Sequence, residues 1–228
     1  MDLNQRKQEE ERFWWTSIAD AFHHAPGFIA RYKMASQHVV QKSVCDIACG
    51  AGYGSYYLSQ TAREVVGLDV CQEAVDWATQ HFQRPNLRFL HIQTDEPWLV
   101  DRSFDVVTSF ETMEHTESPA VFLQGVSDHL MPDGTLIMSI PNGPLDRTRN
   151  NPYHLHYFTK EQFASLIEQS FSQTQYFSQV YRRNFRHYAA KHLRRIMGYD
   201  PHTSSNYGFE PGLHDDAKRW VVIASKSV

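Results

Sequence analysis

Nowhere in the 228 residues is there an apolar run approaching the ~20 positions that a helix needs to cross a bilayer. The first twelve residues are polar and charged and lack the apolar centre of a signal peptide, so a cytoplasmic protein without a membrane partner is expected. Cysteine is scarce: Cys45, Cys49 and Cys71 match no zinc-ligand spacing, and an odd count argues against a secreted disulfide framework. Basic charge is not in excess, since 22 Lys and Arg face 26 Asp and Glu for a net −4. That balance gives no global attraction to nucleic acid and counts against it as a partner. Internal repeats and low-complexity tracts are absent. The remaining composition is that of an ordinary globular chain, long enough to bury a full core as one domain over residues 1–228.

Against these absences, residues 44–58 stand out. A short apolar run carrying Asp46 breaks into glycines at Gly50, Gly52 and Gly54 and continues into a helix-like pattern. Strand, glycine turn and helix in that order bring backbone N–H groups up to a ligand. Residues 65–70 read as a second buried strand ending at Asp69, where an acid can accept the hydroxyls of a ribose. Further strands follow at 87–92, 104–110, 135–140, 174–180 and 219–225, with helical patterns at 72–83, 119–130 and 159–171. Thr159 is a suitable cap for the last helix. The alternation predicts an α/β fold, a seven-stranded, mostly parallel sheet with helices on both faces. Residues 1–40, with Phe13, Trp14 and Trp15, read as an N-terminal helical segment. Residues 181–218 read as an insertion before the last strand: a basic helix with Arg182, Arg183, Arg186, Arg194 and Arg195, then a Pro-, Gly-, Ser- and His-rich surface loop over 199–216.

The Gly-x-Gly-x-Gly turn preceded by Asp-x-x-Cys, together with Asp69, closely resembles the first motifs of class I S-adenosylmethionine (SAM)-dependent methyltransferases. The resemblance covers roughly residues 27–171. It implies a Rossmann-like fold, SAM as cofactor and, through the helix over 27–40, a lid within residues 1–40, with Phe13, Trp14 and Trp15 either part of that lid or simple helix packing. It also implies that Gly50, Gly52 and Gly54 approach methionine and ribose with Asp46 behind them. By the same resemblance Asp69 holds the ribose hydroxyls, and Val70 flanks the adenine. The family's acid at the end of the third strand is replaced here by Gln93, next to Thr94, unless a two-residue slip puts Asp95 there. Phe110, after the fourth strand, is expected to face the methyl group.

The second informative stretch is Glu111-Thr-Met-Glu114-His115. On a helix start, Glu111, Glu114 and His115 would share one turn, a spacing able to hold Mg²⁺ or Mn²⁺. The pattern is similar to the metal site of ubiquinone-pathway O-methyltransferases and of small-RNA 3′-terminal 2′-O-methyltransferases. The latter add a later histidine, for which His154 or His156 in Tyr153-His154-Leu155-His156-Tyr157 qualifies. The competing reading has the acids capping a helix and tying down loops. In that case Glu111, His115 or His154 act without metal, a histidine serving as general base toward a hydroxyl. Tyr153, Tyr157 and Phe158 either stack on an acceptor or seat the next helix. Three functions remain in view. The first is O-methylation of a sugar, glycan precursor or other small hydroxylated metabolite. The second is methylation of a terminal ribose 2′-hydroxyl of RNA, and the third is SAM binding without catalysis.

Overall fold

The computed structural model describes residues 16–93, 102–146, 151–181 and 206–226. At its centre lies a sheet in which β1 (Ser43–Ile47), β2 (Glu64–Asp69), β3 (Leu87–His91), β4 (Phe104–Phe110) and β5 (Leu130–Pro141) are parallel. β6 (Gln173–Tyr181), β7 (Tyr207–Pro211) and β8 (Arg219–Ser225) complete eight strands in the order β3-β2-β1-β4-β5-β8-β6-β7. β8 runs antiparallel to both β5 and β6, and β7 antiparallel to β6. Helices α1 (Ile18–His24) and α2 (Pro26–Ser36) precede β1, α3 (Tyr53–Leu58) links β1 to β2, and α4 (Gln72–His81) links β2 to β3. Helix α5 (Pro119–Asp128) links β4 to β5, while α6 (Gly143–Asp146) and α7 (Lys160–Ser170) lie between β5 and β6.

The composition of the strands explains the layering. Every residue of β1 is buried, as a parallel strand covered on both faces must be. Side chains alternate between faces, because successive Cβ atoms point opposite ways. Cys45, Val107, Leu136 and Met138 join one core with Phe122, Phe163 and Trp220. Val44, Val106 and Ile137 join the other with Ile29, Tyr32 and Leu58. Helix α7 starts with a capping box: the Gln162 backbone N–H donates to the Thr159 hydroxyl and the Thr159 N–H donates to Gln162 Oε1.

The sequence expectations meet two differences. The sheet has eight strands rather than seven. The extra strand, β7, falls in the stretch expected to be a surface loop, where Tyr207-Gly-Phe-Glu-Pro211 pairs with β6 from Tyr181↔Tyr207 to Phe177↔Pro211. Gly208 and Pro211 read as breakers, yet an outermost strand tolerates both because one of its edges needs no partner. β5 begins at Leu130, before the expected start. Its ladder to β4 is interrupted between Phe104↔Leu130 and Val106↔Thr135, so the proline-containing stretch stands out of the sheet. Phe13–Trp15 and the basic residues Arg182–Arg195 lie outside the described residues. Among those described, no helix is long and apolar enough to cross a membrane.

Phe163 has no exposed surface and anchors α7 on the sheet. Phe163→Ala is expected to cost about 3–5 kcal/mol, as truncation of a buried aromatic does. Urea denaturation with an unchanged midpoint would show that α7 contributes little to the core.

Candidate active site

The strand order reverses between β1 and β4, and in open α/β sheets such a reversal opens a crevice beyond the carboxyl ends of the strands. Asp46 lies under that crevice with no exposed surface. Its carboxylate accepts hydrogen bonds from the hydroxyls of Ser55 at 2.6 Å, Thr108 at 2.7 Å and Tyr32 at 3.2 Å. Burial pushes its pKa up to about 6, because these three donors only partly replace water.

Above Asp46 the glycine turn has three left-handed residues, Ala48 at φ 53°, Gly50 at φ 54° and Gly52 at φ 84°. A Cβ on Gly52 would strike Ala78 and Phe89, and one on Gly54 would land on the Tyr32 ring. One on Gly50 would meet nothing within 4 Å, so the turn presents an open face there. Asp69 holds the turn in place: its carboxylate accepts from the Gly50 N–H at 2.8 Å and the Cys71 N–H at 2.9 Å. Val70, 48% exposed, and exposed Gln93 follow at the ends of β2 and β3. Phe110 is buried, with the Tyr32 ring edge-on at 4.9 Å. Thr94 and Asp95 lie outside the described residues. An open backbone face bordered by an acid and an exposed apolar side chain fits an adenosyl group, which offers hydroxyl donors and an apolar ring.

Beyond β4 the chain makes a 3₁₀ turn, Met113–His115, entered through Glu111 at φ 58°. That left-handed conformation strains a non-glycine residue. Glu111 is held in it by the bond from its N–H to Ser139 O and by its carboxylate, which takes the Ser139 hydroxyl at 2.8 Å and pairs with Arg219. Burial alone would raise the Glu111 pKa, but Arg219, Arg31 and Ser139 outweigh it and hold it below the usual range. Arg31 is buried over the Phe28 ring at 4.2 Å and donates to Gln179 Oε1 at 2.7 Å.

Glu114 is in the opposite situation. It is buried, and neither carboxylate oxygen has a hydrogen-bond partner among the described residues. Burial, then the charge on Glu111, push its pKa well above the ordinary range. Its backbone carbonyl accepts from the N–H groups of Leu155 at 2.8 Å and His156 at 3.2 Å, docking the 151–158 loop on the turn. In the same junction His115 Nδ1 lies 3.0 Å from Tyr153 O. A carbonyl only accepts, so Nδ1 carries the proton and Nε2, 4.0 Å from Glu114 Oε1, is the basic nitrogen of the neutral ring. His154 is hydrogen-bonded through Nδ1 to the Asp146 carboxylate, and its ring stands edge-on to His115 at 4.7 Å. Glu114, His115 and His154 each offer one ligand atom, all within 4.8 Å of one another.

Three of the four residues expected to converge therefore do so, while Glu111 turns to Arg219. His154 and His156 part company: His156 bonds Thr116 O at 3.0 Å and stacks on Phe158, itself part of the core. The Tyr157 hydroxyl donates to Asn151 O. Asp146, Arg31 and Arg219 were not singled out by sequence. Arg219 carried no signal beyond opening a strand, and Asp146 only its place after the Pro-Asn-Gly turn.

A methyltransferase-domain family model matches residues 45–138. A protein described as a probable S-adenosylmethionine-dependent methyltransferase of Mycolicibacterium smegmatis is 30% identical over 141 residues, 60% of this chain and 54% of that protein. A ubiquinone biosynthesis O-methyltransferase of Actinobacillus pleuropneumoniae is 32% identical over 111 residues, 46% of this chain and 47% of that protein. The chain thus spans about half the length of these relatives. Among solved structures, a SAM-dependent methyltransferase of Thermotoga maritima superposes with a TM-score of 0.67 at 15% identity, covering 91% of this chain and 92% of that one. Another, from Mesorhizobium loti, gives 0.66 at 16% identity over 88% and 98%. At such identities the superpositions establish the fold.

The raised Asp46 pKa has a consequence for stability. The folded state binds this proton more tightly than the unfolded chain, whose pKa is near the ordinary 3.8. The associated stability is present below about pH 4 and is lost as pH rises toward about 6, amounting to roughly 3 kcal/mol. Asp46→Asn removes the titration, so the difference in unfolding free energy between wild type and variant should move against the wild type over that window and level off above it. Parallel curves from pH 4.5 to 7 would contradict the buried, ionising carboxyl.

Proposed function

The chain belongs, by fold and by the sequence of its glycine-turn half, to the class I SAM-dependent methyltransferases, and from that premise we propose that it methylates a hydroxyl of a sugar, glycan precursor or other small hydroxylated metabolite. In this reading SAM lies on the open face of the glycine turn. Gly50, Gly52 and Gly54 shape that face, Asp46 holds it from below, and Asp69 accepts from the ribose hydroxyls. Val70 and Gln93, with Thr94, border the adenine, and Phe110 borders the methyl group. Helices α1 and α2 belong to the lid, a role supported by the reach of Tyr32 from α2 to Asp46.

The observation that carries the acceptor assignment is the Glu114–His115–His154 cluster: a buried carboxyl with no hydrogen-bond partner among the described residues, beside two imidazoles whose Nδ1 atoms are already engaged. Methyl transfer is an in-line displacement in which the acceptor oxygen forms the new O–CH₃ bond as the S–CH₃ bond breaks. S-adenosylhomocysteine leaves and the hydroxyl proton must go elsewhere. A sugar hydroxyl is a weak nucleophile near neutral pH, so its proton needs a base or a neighbouring cation. The donor set of one carboxylate oxygen and two imidazole nitrogens fits a divalent cation such as Mn²⁺ or Mg²⁺, held by Glu114, His115 and His154. Such an ion would supply Lewis acidity toward the hydroxyl. Without it, His154 or His115 takes the proton through Nε2. Glu111, paired with Arg219, shapes the entry to the turn rather than completing the donor set. The O-methyltransferase named among the relatives supports transfer to oxygen. The net charge of −4 favours a small acceptor over RNA.

Two outcomes are expected. Asp69→Ala should weaken SAM binding by about 1.5–3 kcal/mol in calorimetry, the scale of hydrogen bonds to a charged acceptor, and an unchanged affinity would remove the ribose assignment. His154→Gln should lower turnover by roughly 10²–10⁴-fold while leaving SAM affinity intact. With the metal form, a chelator should abolish activity and added Mn²⁺ or Mg²⁺ restore it. With the base-only form, chelator should have no effect. Full turnover by His154→Gln on the authentic acceptor would refute the assignment.

A further inference from the structure

The short helix α6 carries a carboxylate that the reaction as drawn above does not use. We propose that Asp146 is the positioning residue of this site: it holds the His154 ring with its proton on Nδ1, so that Nε2 is the nitrogen presented to Glu114 and His115. This rests on the preceding reading of His154 as ligand or base.

Several observations converge on it. The pair is enclosed, with the His154 side chain 9% exposed and that of Asp146 7%. An ionised carboxylate can only accept, so the bond to His154 Nδ1 selects one tautomer. The Tyr153 carbonyl selects the same tautomer in His115. A carboxylate is more costly to bury than a carbonyl, and as an acceptor it fixes the ring orientation of a histidine whose far nitrogen is to hold a ligand. Neither ring flips without losing its Nδ1 hydrogen bond.

The placing of Asp146 is over-determined. The Asn142 side-chain amide donates to Asp215 O and Ala217 O at 2.9 Å each, and the Asn142 backbone carbonyl accepts the Asp146 N–H at 2.8 Å. The Gly143 N–H donates to Phe158 O, and a Cβ at Gly143 would run into the main chain of Tyr157 and Phe158. The Pro141-Asn142-Gly143 turn therefore clamps α6 against the loop that bears His154. A carboxylate held by this much structure, and hydrogen-bonded through its side chain to His154 among the described residues, has the geometry of an outer partner that orients a working histidine.

The test reads the ring directly. Long-range ¹H–¹⁵N spectra of the full chain labelled at histidine, in alkaline buffer, give the tautomer of each imidazole, and His154→Gln identifies the His154 signals. The wild type is expected to show His154 protonated on Nδ1. Asp146→Leu, which has no acceptor, should populate the Nε2-protonated form and weaken Mn²⁺ binding, followed by paramagnetic resonance of the free ion, by roughly 10–100-fold. Asp146→Glu should restore the Nδ1 proton. A wild-type ring protonated on Nε2 overturns the proposal even if the leucine variant fails to fold. So does a folded leucine variant with the wild-type tautomer or, where the wild type binds Mn²⁺, one with the wild-type Mn²⁺ affinity. A wild type that binds no Mn²⁺, together with full turnover by His154→Gln, instead overturns the preceding reading, and the tautomer still decides for Asp146.

Discussion

Asp46 brings a carboxylate to a point where no water reaches it, and the elements around the crevice are arranged to satisfy it. One donor comes from each of three places: Tyr32 on α2, Ser55 on the first turn of α3 and Thr108 on β4. Burying a carboxylate without donors would cost several kcal/mol, so these three bonds are a condition of the fold rather than an ornament of it. Each also fixes a part of the site. The Tyr32 bond draws α2 over the ends of the strands, and its ring then excludes any side chain at residue 54. The Ser55 bond sets where α3 begins and so how the glycine turn leaves β1. The Thr108 bond joins the two strands between which the order reverses.

The second constraint comes from the antiparallel half of the sheet. β8 runs against β5, so its first residue, Arg219, sits opposite Pro141 at the carboxyl end of the parallel strands. There it neutralises Glu111. Two acids three residues apart are thereby driven in opposite directions, Glu111 down beside Arg219 and Arg31, Glu114 up by burial and by Glu111 itself. Paired carboxyl groups whose environments separate their pKa values commonly mark divided roles. Here the division is between a structural ion pair and a carboxyl turned toward two histidines.

Much of the fold was legible because it follows from short-range periodicity. Largely buried strands spaced by amphipathic helices have few arrangements other than a covered parallel sheet, and Thr159 with Gln162 announces its helix by capping chemistry. β7 was not legible, since an edge strand with one unpaired side places weak demands on its residues, and Gly208 and Pro211 are compatible with either state. The glycines show a finer limit. Their number and spacing marked the turn, but only the packed structure separates Gly50, which faces open space, from Gly52 and Gly54, which are small because Phe89 and Tyr32 leave no room.

The site divides along the same line. The chain by itself determined the motifs that act within a few residues of one another: the acid and glycines after β1, Asp69 after β2, and the Glu-x-x-Glu-His run after β4. Local spacing carries such information because backbone geometry sets which near neighbours share a turn or a strand end. Which of Glu111 and Glu114 faces the histidines, which of His154 and His156 joins them, and that Asp146 and Arg219 take part were decided only in three dimensions. Each depends on a contact between segments far apart in sequence: the Glu114 carbonyl holding the 151–158 loop, the β8 register bringing Arg219 to Glu111, and the Asn142 clamp setting α6 beside His154. No periodicity in a single segment encodes a partner that another segment supplies.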